Sequence, residues 1–180
     1  MLNYDALVSL GIQLGFRHVV PLDPETIDLK PEIREMCAAN TCGMFGKCWS
    51  CPPGCGTLEE CRTKIAEYPY GILVQTVGEL VDPLDGERMM AAQDRHKENF
   101  KKLHEILRDM HPHMLAIGTD VCSVCESCTY PEQPCRFPDK CITSMEAYGM
   151  LVLEVCKKNN LAYYHGPNTI SYTSCFLFKE

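Results

Sequence analysis

Cysteine dominates the chemistry that this sequence offers. Thirteen of its 180 residues are cysteine, and most of them fall in two short segments. The first cysteine segment (residues 37–61) contains Cys37, Cys42, Cys48, Cys51, Cys55 and Cys61, and the second cysteine segment (residues 122–141) contains Cys122, Cys125, Cys128, Cys135 and Cys141. An odd number of thiols cannot all close into intramolecular disulfides, and thiols two or three residues apart are typical of metal ligation. We therefore predict a metal centre in each segment.

The second cysteine segment has the most specific spacing. Cys122, Cys125 and Cys128 follow one another at steps of three, which lets one tight loop wrap the corners of a cubane cluster, as in bacterial ferredoxins. The fourth ligand comes from further along the chain, where Cys135 and Cys141 compete for the position. Zinc is the alternative, although zinc sites usually draw on two separated Cys-x2-Cys pairs. The spacing therefore favours a [4Fe–4S] cluster.

The first cysteine segment is less regular. Its six thiols exceed the four that one cluster or one zinc ion needs, so spacing leaves the choice among them open. Cys51 precedes Pro52, as the last cysteine of a ferredoxin motif precedes proline. The segment predicts a metal centre without naming its four ligands.

Other residues with reactive or charged side chains predict structural roles. Cys156 lies among apolar residues of a predicted helix and Cys175 among those of a predicted strand, so we expect both to be buried core thiols. No pair of the six histidines has the spacing of a metalloprotease helix. The lysines and carboxylates of a long helix over residues 86–110 are expected to form a solvated face rather than a binding patch.

The elements that must position the cysteines follow from hydrophobic periodicity. Helices are predicted over 2–15, 57–68, 86–110 and 143–159, and strands over 16–22, 70–77, 114–118, 161–164 and 171–178. Thr57 with Glu60 and Thr143 with Glu146 have the form of capping boxes, so a helix starts directly after each cysteine segment and we expect both helix N-termini to face metal. The predicted fold class is α+β: a single compact domain over residues 1–180, with a mixed sheet, flanking helices and two cysteine-rich metal-binding loops.

Charge and composition restrict the partners. The net charge of −7 and the pI near 5.4 argue against nucleic acid or an anionic membrane, since either would require a basic surface. No apolar run approaches the roughly 18 residues of a membrane span, and the first residues lack the pattern of a secretory leader. We predict a cytoplasmic protein whose acidic surface docks on a redox partner protein.

Several motifs occur in order along nearly the whole chain. They are Arg34-Glu-Met-Cys37, Phe45-Gly-Lys47, Trp49-Ser-Cys51-Pro-Pro-Gly54, Gly56-Thr-Leu-Glu-Glu-Cys61, Cys135-Arg-Phe-Pro138 and Ser144-Met-Glu-Ala-Tyr-Gly149. In these motifs the sequence resembles an uncharacterised cysteine-rich bacterial and archaeal family, a domain of unknown function whose members are predicted metal-binding proteins. The resemblance implies metal binding by cysteines, typically in anaerobes, and it supplies no reaction.

The resemblance also implies a ligand set for each centre. The first set is Cys37, Cys42, Cys51 and Cys61, the second is Cys122, Cys125, Cys128 and Cys135, and the extra thiols are Cys48, Cys55 and Cys141. We predict two [4Fe–4S] clusters and electron transfer to an anaerobic redox partner. The alternatives are an enzyme or activation factor with an open iron site, and a zinc-stabilised interaction module.

Overall fold

A mixed five-stranded sheet organises the chain, and the computed structural model describes residues 2–180. From one edge of the sheet to the other, the strands are β1 (His18–Leu22), β2 (Tyr70–Glu79), β5 (Thr169–Phe178), β3 (Leu115–Gly118) and β4 (Thr143–Ser144). Neighbouring strands are antiparallel except β3 and β4, which run parallel. The predicted α+β class with a mixed sheet is confirmed.

Six α-helices flank the sheet in the described residues: α1 (Tyr4–Gln13), α2 (Pro31–Ala38), α3 (Leu58–Ala66), α4 (Gly86–Met110), α5 (Met145–Tyr148) and α6 (Val152–Lys158). They cover both faces, because successive side chains of a strand point to opposite sides. In β2, Ile72 faces the core that α1 and α4 complete, and Leu73 faces the core that α3, α5 and α6 complete. No helix in residues 2–180 is both long and apolar enough to cross a membrane.

The two cysteine segments leave the core at different kinds of element. The first runs from the end of α2 to the start of α3, so Cys37 and Cys61 lie on helices. The helix predicted over residues 57–68 is confirmed and carries Cys61, whereas the loop predicted at the start of the segment was wrong, because Cys37 lies on α2. Helix α2 was not predicted. It starts at Pro31, because the fixed φ of proline suits the first helical position. The second segment lies in the connection between the parallel strands β3 and β4.

The predicted helix over residues 143–159 is wrong in its extent. Ser144, not Thr143, is the N-cap residue, and α5 ends after four residues at Gly149. Gly149 has a φ of 99°, and a Cβ atom there would lie 2.7 Å from Leu58 Cδ1, so the close approach of the chain requires glycine. Thr143 belongs to β4, and α6 is a separate helix.

Residues 161–164 do not form the predicted strand. β5 already pairs with β2 along one edge and with β3 along the other, which leaves no edge for a further strand beside it. The other predicted elements are confirmed, among them the capping box of Thr57 and Glu60 and the 25-residue α4. Cys156 and Cys175 are fully buried, as predicted for core thiols.

Candidate metal centres

Arg34 is the charged side chain that faces the thiols of the first cysteine segment. It lies one helical turn before Cys37 on α2. Its Nη2 donates to Cys61 Sγ at 3.1 Å, and its Nη1 donates to the Gly56 carbonyl at 3.0 Å. Its Nε is buried and has no hydrogen-bond partner among the described residues. The structure therefore holds a guanidinium against thiol sulfur with its buried Nε–H unpartnered.

Cys55 and Cys61 lie close enough to change each other's ionisation. The hydrogen bond that the two thiols share raises the pKa of Cys55, and burial adds to this rise. The same hydrogen bond lowers the pKa of Cys61 against the effect of burial, and the Arg34 guanidinium contributes to the lowering. Cys61 is therefore the more acidic thiol of the pair.

The other predicted ligands of the first centre lie in the same neighbourhood. Burial raises the pKa of Cys37 against the opposing effect of the Arg34 guanidinium, and the nearby Cys42 thiol adds to the rise. Burial also raises the pKa of Cys51, the adjacent Cys48 thiol adds to the rise, and Cys42 contributes less. Cys51 in turn contributes to the raised pKa of Cys55. The set predicted from the family resemblance is thus connected through neighbouring thiols, with Cys55 among them.

Helix α5 closes the first segment on one side. Cys37 Sγ faces the Glu146 carbonyl at 4.0 Å, and Cys55 Sγ donates to the Ala147 carbonyl at 3.6 Å. We expected this helix to direct its N-terminal N–H groups at metal. Its contacts with Cys37 and Cys55 of the first segment are made by carbonyl groups, and the expected orientation toward metal stays a prediction.

Thiols from both segments line one small cavity. Its volume is about 30 Å³, and the cysteines around it are Cys48, Cys122, Cys125, Cys128, Cys135 and Cys141. Burial raises the pKa of Cys141, and the adjacent thiols of Cys122 and Cys135 raise it further. The four predicted ligands of the second centre therefore share their cavity with Cys48 and Cys141.

Residues next to Cys48 join the two segments. The Cys122 N–H donates to Ser50 Oγ at 3.1 Å, and Trp49 Nε1 donates to the Gln133 carbonyl at 3.1 Å. The Trp49 ring packs edge-on against Tyr130, with 4.9 Å between the ring centroids. These contacts explain why Cys48, which precedes them, lines a cavity formed mostly by the second segment.

The loop that carries Cys125 and Cys128 keeps its N–H groups free. None of the backbone N–H groups of residues 123–129 donates to an acceptor within the described part of the chain. Backbone N–H groups are strong donors, and hydrogen bonds to sulfur are among the means by which a protein tunes an iron–sulfur cluster. The loop therefore offers several donors beside the cavity that the thiols line.

The donors around both segments fit an anionic metal–thiolate centre. In residues 2–180, no group of three or more histidine, cysteine, aspartate and glutamate side chains is arranged so that it could hold a metal ion. The unpartnered Nε of Arg34 lies beside the first thiols, and the free N–H groups of residues 123–129 lie beside the second. Each segment thus combines thiols with groups that balance the negative charge of thiolates.

An open cleft of about 550 Å³ lies between the two segments. Its walls include Cys55 of the first segment and Cys135 and Cys141 of the second, together with Trp49 and Tyr148. A small molecule bound in this cleft would contact thiols of both segments.

Sequence reasoning missed two features of this region. Arg34 lies three residues before Cys37, and this spacing places both side chains on one face of a helix. The spacing indicates their proximity only once residues 31–38 are known to be helical. The position of Cys48 against the second segment carries no local signal, because the contacts of Trp49 and Ser50 that produce it span 84 and 72 residues.

Comparison with known proteins identifies the family. A family model described as "Predicted metal-binding protein (DUF2284)" matches residues 20–178, so the chain belongs to that family of metal-binding proteins. The resemblance inferred from the motifs is confirmed. No curated protein and no solved structure matches the chain.

Proposed function

We propose that this member of the family is an iron–sulfur protein that binds two [4Fe–4S] clusters and transfers electrons to a redox partner protein. The observation that carries the proposal is the cavity lined by six cysteines, three of which have the Cys-x2-Cys-x2-Cys spacing in a loop with free N–H groups. Zinc takes four ligands in two separated pairs, whereas this spacing suits the corners of a cubane.

The second centre is assigned to Cys122, Cys125, Cys128 and Cys135. A bound [4Fe–4S] cluster supplies one-electron redox chemistry. The protein's part is to ligate the irons with four thiolates and to donate N–H groups of residues 123–129 to sulfur. Cys141, in contact with Cys122 and Cys135, lies beside this set as an extra thiol.

The first centre is assigned to Cys37, Cys42, Cys51 and Cys61. Arg34 donates to the Cys61 sulfur and keeps one donor free for a further sulfur atom. Its positive charge favours the thiolate form of the surrounding cysteines, which a metal requires.

Electron transfer is supported by the contact between the two segments. Trp49 and Ser50 of the first bind Gln133 and Cys122 of the second, so the two cysteine segments pack as one unit. The net charge of −7 suits docking on a basic surface of a redox protein.

The open cleft between the segments favours a second candidate function. An enzyme, or an activation factor, with an iron not fully ligated by cysteine would bind its substrate where thiols of both segments meet. The 550 Å³ cleft lies where the two segments meet, with Cys55 and Cys135 in its walls.

Metal analysis tests the proposal directly. Protein produced and purified without air should contain about eight iron and about eight acid-labile sulfide per chain, with broad absorption near roughly 400 nm. A colourless protein with stoichiometric zinc and no sulfide would overturn the proposal in favour of a zinc-stabilised interaction module.

Two serine variants test the assignment of the fourth ligand. Cys135→Ser should halve the iron and the sulfide, while the matched control Cys141→Ser should leave both near the wild-type content. The reverse result would move the ligand to Cys141. Equal losses from both variants would indicate that the second centre holds more metal than one cubane.

A further inference from the structure

Three lysines surround a cavity next to the second cysteine segment. The cavity has a volume of about 200 Å³ and lies between α4 and residues 118–124. Lys97 and Lys101 reach it from α4, and Lys140 reaches it from the end of the second segment. The sequence predicted a solvated face for the lysines of α4. The structure leaves Lys97 and Lys101 exposed, as predicted, and brings them to one cavity with a third exposed lysine from a distant part of the chain.

The positive charge at this cavity is only partly neutralised. Asp120 is the carboxylate in its wall, and it already accepts from Lys97 Nζ, from Gln93 Nε2 at 3.1 Å and from the Val121 N–H at 2.7 Å. Lys101 and Lys140 form no ion pair within the described residues. Both lysines are exposed, and the Lys140 Nζ lies 5.9 Å from the centroid of the Phe137 ring. Two lysines of the wall therefore have no carboxylate partner, in a chain whose net charge is −7.

The rest of the wall is apolar or neutral. Phe100, Ile142 and Val124 line the cavity. His96 also reaches it, but its ring nitrogens are occupied by the hydroxyl groups of Thr76 and Ser174 at 2.9 and 2.8 Å. Burial lowers the pKa of His96 to about 3, so its ring stays neutral near pH 7. Binding pockets commonly combine such apolar walls with a few fixed charges.

We infer that this cavity binds a small organic anion, whose phosphate or carboxylate group contacts Lys101 and Lys140 and whose apolar part packs on Phe100. The volume suits a small metabolite rather than a segment of a macromolecule. Cys122 lines both this cavity and the cavity shared by the six cysteines. The bound anion would therefore lie next to the second centre, and this consequence rests on the proposed function. Binding of the anion itself rests only on the lysines and the cavity.

Calorimetric titration of the anaerobically purified full chain tests the inference. Phenyl phosphate supplies both the charge and the apolar group, inorganic phosphate supplies the charge alone, and phenol supplies the ring alone. We expect phenyl phosphate to bind most tightly and phenol most weakly. Lys101→Ala and Lys140→Ala should each weaken phenyl phosphate binding by about threefold to tenfold, the range for loss of a charge-assisted hydrogen bond at a partly exposed site.

Lys102→Ala is the matched control, because Lys102 lies on α4 next to Lys101 and does not line the cavity. It should leave the affinity unchanged. Absence of saturable phenyl phosphate binding up to roughly 10 mM, ten times the dissociation constant of a weak millimolar site, would overturn the inference. So would an equal loss of affinity in the Lys102→Ala control. Calorimetry reports binding whether or not iron is present, so failure of the metal analysis and failure of this inference remain distinguishable.

Discussion

The two cysteine segments carry the same chemistry on different frameworks. The first starts and ends on helices, and its Cys48, Cys51 and Cys61 are buried. The second connects two short strands, its Cys128 is exposed, and the N–H groups of residues 123–129 have no acceptor in the described chain. Backbone hydrogen bonds and burial are what fix a loop in the absence of a ligand. Hydrogen bonds and burial within the protein therefore organise the first segment, and we expect the second to depend more on a bound ligand.

Removal of metal should have the largest effect and should separate the two segments. Metal binding to thiolate sites contributes on the order of 10 kcal/mol, which is comparable with the whole stability of a domain. We expect a chelator, applied without air, to lower the temperature of thermal unfolding by more than about 10 °C. Hydrogen exchange followed by mass spectrometry should become fast in residues 123–129 and remain slow in α3.

The control for this experiment is the same protein after reconstitution with iron and sulfide, which should regain slow exchange in residues 123–129. An apo-protein with the melting temperature of the metal-loaded form would contradict the prediction. Equal loss of protection in both segments would contradict the distinction between their frameworks.

One arginine binds to each segment, Arg34 from α2 just before the first and Arg136 from within the second, and substitution of these arginines gives the next largest contrast. Arg34 makes two hydrogen bonds, one of them to Cys61 sulfur, and Arg136 makes a single bond to the Ser127 carbonyl at 2.8 Å from an exposed position. Arg34→Ala should reduce the free energy of unfolding by about 2 kcal/mol, and Arg136→Ala by less than about 1 kcal/mol. Denaturant unfolding of the metal-loaded variants measures both changes.

Iron content gives the second measurement for the arginine pair. Arg34→Ala should lose iron from the first centre only, and Arg34→Lys should retain more, because lysine keeps the charge but loses the planar fork. A greater loss of stability and iron from Arg136→Ala would reverse the assignment of the two frameworks.

The caps of the helices that follow the segments should give a smaller contrast. Thr57 Oγ1 accepts from the Glu60 N–H at 3.2 Å, and Glu60 Oε2 accepts from the Thr57 N–H at 2.7 Å. Ser144 caps α5 by a single bond from the Ala147 N–H at 3.1 Å. Thr57→Ala should cost about 1 kcal/mol and Ser144→Ala about half as much. Thermal unfolding with Thr57→Ser as the conservative control measures both, and equal costs would show that the Thr57 hydroxyl contributes no more than the single bond to Ser144.

Local pattern accounts for the parts of this molecule that the sequence predicted. The periodicity of α4 and the alternation in β2 and β5 identify these elements because burial imposes those periods. The spacing of Cys122, Cys125 and Cys128 predicts that their thiols line one cavity, because cysteines at steps of three can lie on a single tight loop. Gly149, by contrast, ends α5 in the left-handed conformation. The Leu58 side chain, which leaves no room for a Cβ atom there, comes from a distant part of the chain. Arg34, Cys48 and the lysine-lined cavity were not predicted for the same reason.

Trp49 connects the two segments, and removal of its hydrogen bond should have a small effect that is confined to the second segment. Trp49→Phe keeps an aromatic ring against Tyr130 but loses the Nε1–H bond to the Gln133 carbonyl. We expect a loss of about 1 kcal/mol, or roughly 2–4 °C in the melting temperature of a chain this size. Hydrogen exchange should accelerate in residues 129–134 and stay unchanged in α3.

The direction of that exchange effect decides how the segments depend on each other. If the first segment is organised by its own helices and Trp49 stabilises the second segment against it, the substitution loosens the second segment alone. Tyr130→Phe is the matched control, since the Tyr130 hydroxyl makes no hydrogen bond within residues 2–180 and its ring would be retained. It should leave both the melting temperature and the exchange pattern unchanged. Faster exchange in α3 of Trp49→Phe would mean that the second segment stabilises the first. That result would contradict the expectation that the hydrogen bonds of the first segment are enough to organise it.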